Sequence, residues 1–452
     1  MDNAIARLQE ALPRQIVAQG HPSYDARRAV LFDAEGCRPA ALVRVTSAAD
    51  VAAAVRLAQR EGLRLAVRCG GHSSAGHSTV DGGVVIDLRE LNAVEVDEAN
   101  GTVWAGGGAR VGEVLRALAP HGLAIGFGDS PDVGIGGLVT GGGVGYLSRL
   151  CGATVDSVLA AEVVLADGRI VEASADSEPE LFWAIRGGGG NFGVLTRIKF
   201  QARAVHEFTG GMMVIPATAG SIARFTAAAK AAPDALGTIA AVMPAPPAPF
   251  IPPHMQGQMV IFAMLSFAGP DAEAAAVYAP FRALGPVFDT VQAGPYYSLY
   301  EGDNGEPEGL PVSRTWFVDG VDQAAAQTML DALNASDATM RMIQIRVLGG
   351  AVNRIPAGSN AYAHRRGEVL LMAMSFYGTE EQRRRYDSWA HDLMTAVPPS
   401  VDGAYVNFLG AEGEEATRSA YPGETWDRLR AIKRSYDPTN LFRRNQNIPP
   451  AP

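Results

Sequence analysis

The chain has 452 residues, enough for two or three folding units around a large core. Hydrophobic residues make up 47% and charged residues 19%, and the formal net charge is -10 with no long Lys/Arg cluster, which excludes a nucleic-acid partner. Three scattered cysteines (Cys37, Cys69, Cys151) without a C-x-x-C pair exclude a disulfide framework and fit a reducing compartment. The opening MDNAIARLQEALPRQ lacks an apolar signal core, and no apolar run approaches spanning length, so a cytoplasmic protein without a membrane partner is expected. The 51 glycines gather at 70–83, 101–112, 122–145 and 187–193, where backbone must come close to a flat or phosphate-bearing group.

In chain order, the first 200 residues alternate strand and helix. TSAADVAAAVRLAQREG has Ser47 and Asp50 at capping-box spacing, Val51, Ala54, Val55 and Ala58 on one face, and Gly62 as a stop. LRLAVR, VVIDL and TVWAGGG read as strands, and RVGEVLRALAPHG as a short helix closed by Gly122. AEVVLADGRIVEA reads as a hairpin across Asp167-Gly168, EPELFWAIRGGGG as a helix and FGVLTRIKF as a strand. Beyond about residue 203 the helices SIARFTAAAKAA, DAEAAAVYAPFRAL and DQAAAQTMLDAL alternate with the strands QMVIFAMLSF, RMIQIRVLGG and EVLLMAMSFY. The proline-rich PAPPAPFIPP at 244–253 reads as an extended surface connection. A last helix runs into the polar tail SYDPTNLFRRNQNIPP.

The stretch RCGGHSSAGH, Arg68 to His77, holds two histidines in a glycine-rich loop after a strand. GIGGLVTGGGVG lies too deep in the chain, and is wrongly spaced, for a dinucleotide fingerprint. No Gly-Lys-Ser/Thr follows any glycine loop, and His72 and His77 have no further ligands at zinc spacing, so neither a Walker loop nor a metal site is expected.

Four segments carry a more specific signal: RCGGHSSAGHSTVDGGVVIDL, GGGVGYLSRLCGATVDSVLAAEVVLADGRIV, PELFWAIRGGGGNFGVLTRIKF and YDPTNLFRRNQNIPP. Together they resemble the FAD-linked oxidases of the vanillyl-alcohol oxidase type, in the bacterial berberine-bridge-enzyme-like branch, across essentially the whole chain. The resemblance implies an α+β protein with a two-part FAD-binding domain (1–202), a substrate-binding domain with an antiparallel sheet (203–407) and a C-terminal segment (408–452) that returns to the first domain. It implies FAD bonded covalently to His72, with Arg68, Cys69, Gly70, Gly71 and Ser73 forming the surrounding loop. An imidazole suits that bond because it is a good nucleophile near neutral pH. His77 either helps deprotonate the ring methyl or packs nearby.

The chain departs from the family where many relatives attach flavin a second time through cysteine. Its loop reads GFGDSPDVGIGG, with Ser130 at that position. A hydroxyl is too weak a nucleophile for the same bond, so a single covalent link is expected. Cys151 reads as a packing residue and Cys69 as lining the loop. Val133 matches a position that gates oxygen, and its modest size goes with oxidases. The resemblance also implies flavin contacts from Asp129, Gly136, Gly137, Thr140, Gly142 and Gly145, with adenine near Val194 and Asn445 closing over the flavin edge.

Flavin oxidation needs a positioned substrate carbon and a place for the O–H or N–H proton. AYVNFLG resembles the family's Y-x-N strand beside the flavin ring, and in a strand Tyr405 and Asn407 share a side, which implies Asn407 to position substrate or flavin and Tyr405 as base or hydrogen-bond donor. Period two in RMIQIRVLGG puts Met342, Gln344 and Arg346 on one face. Relatives often carry a carboxylate on that face, and Gln344 cannot act as a base. Arg346 either binds an anionic or carbonyl substrate or is a solvated outer-face arginine. The expected activity is oxidation of a small alcohol or amine with oxygen as acceptor, in a monomer or homodimer. A dehydrogenase with another acceptor, or a flavin-bearing protein that binds or cyclises a ligand without net redox turnover, are the alternatives.

Overall fold

A computed structural model describes residues 2–33, 36–301 and 309–452. Its first sheet runs Ile16–Ala18, Ala41–Arg44, Val84–Asp87, Leu65–Arg68. The last three strands are parallel, and the helix Ala48–Arg60 makes the crossover. The Ser47 hydroxyl accepts from the Asp50 N–H, and the Asp50 carboxylate accepts from the Ser47 N–H. Val51, Ala54, Val55 and Ala58 are buried on the face that the spacing predicts.

The second sheet is antiparallel, in the order Val94–Asp97, Thr102–Gly106, Val194–Gln201, Val158–Val164, Ile170–Ser174. Its last two strands form the hairpin across Asp167-Gly168, with Gly168 at φ +79°.

Among the described residues the third sheet has eight antiparallel strands, all drawn from residues 209–377. Its central order is Thr209–Pro216, Met259–Phe267, Leu236–Pro244, Arg341–Val347, Val369–Tyr377, Leu310–Val318. Helices Ala219–Ala231, Asp271–Arg282, Gln323–Ala335 and Glu380–Ala396 cover one face and bury residues such as Ala240, Ile345, Leu371 and Trp316. The other face turns toward the first two sheets. The architecture is α+β, as the sequence implies.

The proline-rich connection is less solvated than its composition suggests. Ile251 is buried with Val214, Ala245 and Val260, and Phe250 packs 4.8 Å from Phe288. The helix Glu424–Tyr436 and the tail return to the first sheets, where Phe442 joins the core around Val84 and Ile86. No helix among the described residues is long and apolar enough to cross a membrane.

Candidate functional site

The loop after Leu65–Arg68 is anchored before it turns. Arg68 is buried and its Nη2 donates to Asp87 Oδ2 at 2.7 Å, across a parallel register pair. Arg89 donates to the same carboxylate. Burial alone would raise Asp87, but the two guanidiniums outweigh it and hold the carboxyl below its usual range. The Cys69 thiol donates to Gly107 O at 2.9 Å, and burial pushes it up to about 11. Cys69 is therefore a protonated packing group rather than a reactive thiol. A β-carbon on Gly70 would lie 2.4 Å from Gly134 N, so this loop and the one carrying Gly134 meet backbone to backbone.

Past that contact the chain opens. The N–H groups of Gly71, His72, Ser73 and Ser74 donate to no backbone carbonyl among the described residues. His72 is half-buried and makes no hydrogen bond among the described residues, and burial holds its imidazole below the ordinary range. The nearby Asp132 and Arg110 oppose each other. Near neutral pH the ring is thus uncharged and nucleophilic.

These groups face a cavity of about 410 Å³, within the usual size range for ligand sites. Cys69, Gly70, Gly71, His72, Ser73 and His77 form one wall. Asp129, Val133, Gly136, Gly137 and Thr140 form a second, and Val194 lies at the end set in the first sheets. Tyr405, Asn407 and Asn445 complete the set. Of the residues singled out from sequence, Arg68, Ser130, Gly142, Gly145, Gln344 and Arg346 do not line it. Gly145 packs on Phe127 O, where a β-carbon would sit 1.8 Å away, and Gly142 packs on the Tyr362 and Tyr405 rings.

The segment around Tyr405 is not a strand. It enters a single 3-10 turn, Val406–Phe408, because Tyr405 O accepts from the Phe408 N–H. The two side chains still converge. The Tyr405 phenol oxygen accepts from Gly143 N at 2.8 Å and from Asn407 Nδ2 at 3.1 Å. Asn407 Nδ2 also donates to Leu138 O at 2.9 Å. With two donors on its oxygen, the neutral phenol has its proton left to give. Burial pushes this phenol above its ordinary range, against the Asn407 and Gly143 bonds that favour ionisation.

Arg346 takes neither role offered by the sequence. It is buried, with Nη2 donating to Asp129 Oδ2 at 2.6 Å, Nε to Gln344 Oε1 at 2.7 Å and Nη1 to Val144 O at 3.0 Å. It thereby ties the Asp129 loop to the eight-stranded sheet. The Tyr300 hydroxyl fixes the same loop through Gly128 O at 2.7 Å. Sequence reasoning could not see this pair, because its partners are 217 residues apart.

The tail closes the cavity. Asn445 Nδ2 donates to Gly190 O, Gln446 Nε2 to Leu409 O and Gly410 O, and Arg444 Nε to Thr79 O. Also in the wall are Gly189, Gly190 and Ser313, which were not singled out from sequence, and Met372 and Met374, whose methionine-rich strand reads either as an apolar cavity or as ordinary core. The GGGG run at 187–190 was the available signal for the first two. Asn445 Oδ1 is buried without a partner among the described residues, and a β-carbon on Gly137 would meet open space. Unpaired backbone donors, an orphaned amide oxygen and a long apolar wall suit a large cofactor with an anionic middle and a flat ring.

Such a fold and cavity define a flavin-binding oxidoreductase. Residues 39–174 match the FAD binding domain family and residues 404–449 the family described as berberine and berberine like. The chain is 31% identical over 429 residues to (R)-6-hydroxynicotine oxidase of Paenarthrobacter nicotinovorans, covering 91% of this chain and 92% of that one. It is 28% identical to an FAD-linked oxidoreductase of Dictyostelium discoideum, covering 91% and 89%. The crystal structure of 6-hydroxy-D-nicotine oxidase from Arthrobacter nicotinovorans superposes with a TM-score of 0.85 at 28% identity, covering 97% and 98%. A chitooligosaccharide oxidase superposes at 0.84 and 23% identity, covering 99% and 100%, and shares the fold. The chain belongs to the FAD-linked oxidoreductases of the vanillyl-alcohol oxidase type, in their berberine-bridge-enzyme-like branch.

Proposed function

We propose that this protein is an FAD-dependent oxidase that takes a hydride from a small alcohol or amine and reduces oxygen to hydrogen peroxide, with FAD bonded to His72 alone. The observation that carries the reading is the convergence of a neutral His72 and the Tyr405–Asn407 pair on one cavity. Bound FAD would supply the hydride acceptor. Gly71 to Ser74 would hold its anionic part, and Asn445 its edge. Tyr405 would donate a hydrogen bond to the substrate heteroatom, with Asn407 fixing the phenol; an amine bound neutral would give up its hydride to leave as an iminium ion with no base needed, and an alcohol would release its O–H proton to water. The domain division at 202 and 407 is part of the same proposal.

Val133, half-buried in the cavity wall, supports oxygen as the acceptor over a dehydrogenase. The test is to reduce the enzyme anaerobically and mix it with oxygen. Rapid return of flavin absorbance with one peroxide per FAD is the expected result. Slow return, with fast return on adding a quinone, would establish a dehydrogenase instead.

Tyr405→Phe is expected to retain FAD and lose about ten- to a hundredfold in kcat/KM, the range for removing a hydrogen bond to a buried group. Because burial keeps the phenol protonated, the pH profile between about pH 6 and 9 should keep its shape in the variant. Loss of an ionisation from that profile would make Tyr405 a base.

A further inference from the structure

The eight-stranded sheet has one face under helices and one turned to the cavity, and the second is unusual in composition. Register sets its rows. Ser313 pairs with Met374, Met374 with Met342; Thr315 pairs with Met372, Met372 with Gln344, Gln344 with Ala241, and Ala241 with Phe262. Met243 lies two residues along the same face from Ala241. Ser313, Met372 and Met374 line the cavity. Met342, Gln344, Ala241, Met243 and Phe262 continue from them and are half-exposed. Phe250 extends the far edge, 6.3 Å from Phe262.

These rows carry no charged side chain. Arg346, on the next row, is buried and committed to Asp129, so it presents no free charge to the strip. Three strand spacings of about 4.8 Å place Phe262 roughly 14 Å from Met372. Continuity with the cavity identifies the occupant. A molecule reacting beside Tyr405 and Asn407 has an apolar path leading away from it, and methionine side chains adapt to tails of varied shape.

We propose that this methionine-rich strip binds the apolar tail of an uncharged substrate whose reacting carbon lies in the cavity. The proposal rests on the oxidase reading of that cavity and adds the substrate class: an alcohol or amine, uncharged when bound, bearing an extended hydrocarbon tail. The polar members of the strip are engaged elsewhere, Ser313 with Phe408 O, Thr315 with the Tyr405 N–H and Gln344 with Arg346, which leaves no run of free polar groups for a sugar chain among the described residues.

The test uses the FAD-loaded full-length protein and unreactive methyl ketones, from butanone to undecan-2-one, titrated against the flavin spectrum. The Kd is expected to fall about two- to fourfold for each added methylene, the range for partial to full burial. Xylobiose should leave the spectrum unchanged. Met342→Glu and, separately, Phe262→Ser should flatten the length dependence while the flavin spectrum of the ligand-free protein stays as in wild type. A Kd independent of chain length in the wild type, a slope unchanged in both variants, or a spectral response to xylobiose alone would overturn the proposal. So would a change of sedimenting mass in Met342→Glu, which would make the strip a contact between two copies of the chain. Protein purified without FAD would overturn the reading of the cavity itself, a separate failure.

Discussion

Acid precipitation of the wild-type protein is expected to leave its FAD in the washed pellet, and the pellet of His72→Ala is expected to be colourless. The expectation combines the family's attachment position with three features of this chain. His72 lines the cavity, it makes no competing hydrogen bond among the described residues, and burial keeps its imidazole neutral. Neither Ser130 nor Cys69 nor Cys151 is placed to replace it. Ser130 lies outside the cavity wall, and burial pushes both Cys69 and Cys151 up to about 11. Cys69 is in the wall, but its thiol is spent on Gly107 O. Flavin remaining in the His72→Ala pellet would assign the bond elsewhere and remove this argument.

The same linkage has a pH signature. Because the folded-state pKa of His72 is depressed, the nucleophilic neutral form persists below the pH at which a free histidine protonates. Covalent incorporation of FAD into apoprotein should therefore stay fast through neutral pH. It should slow only as pH falls through that depressed value. A rate that already drops on acidification from about pH 7.5 to 6.5 would show an ordinary histidine.

Lys433→Met is expected to cost about 3–5 kcal/mol of folding stability, the cost of leaving one member of a buried ion pair unpaired. Lys433 and Asp437 are both 0% exposed and 2.6 Å apart. The ammonium also donates to Asn191 O at 2.8 Å and Phe442 O at 2.9 Å. The Asp437 carboxylate accepts from the N–H groups of Leu441 and Phe442. One pair thus joins the last helix, the loop after the GGGG run and the start of the tail that closes the cavity. Urea unfolding should show the loss, and Lys433→Met/Asp437→Asn should lose less than the two single changes summed. An effect below about 1 kcal/mol would mean that the pair is no more than a surface bridge in energetic terms.

Much of the local structure was legible because it rests on local chemistry. The Ser47 capping box, the Asp167-Gly168 hairpin and the helix closed by Gly122 need only near neighbours, and all three form. The exception is Tyr405. Likeness to the family's Y-x-N strand suggested a strand at AYVNFLG, but a 3-10 turn brings phenol and amide together by another route. The motif carried the meeting of the two side chains but not the backbone on which they meet.

By itself the sequence determined the family, through the likeness of four segments, and with the family the FAD cofactor and the loop that carries His72, because each of those segments is a contiguous run of residues. Only the tertiary structure decided what Arg346 does. Its charge suggested a substrate anchor, yet Asp129 reaches it from a loop 217 residues away and neutralises it. The same holds for the methionine strip, whose members come from strands that become neighbours only through sheet register. Long-range pairing is set by burial of the whole sheet face, and no short stretch of chain carries that information.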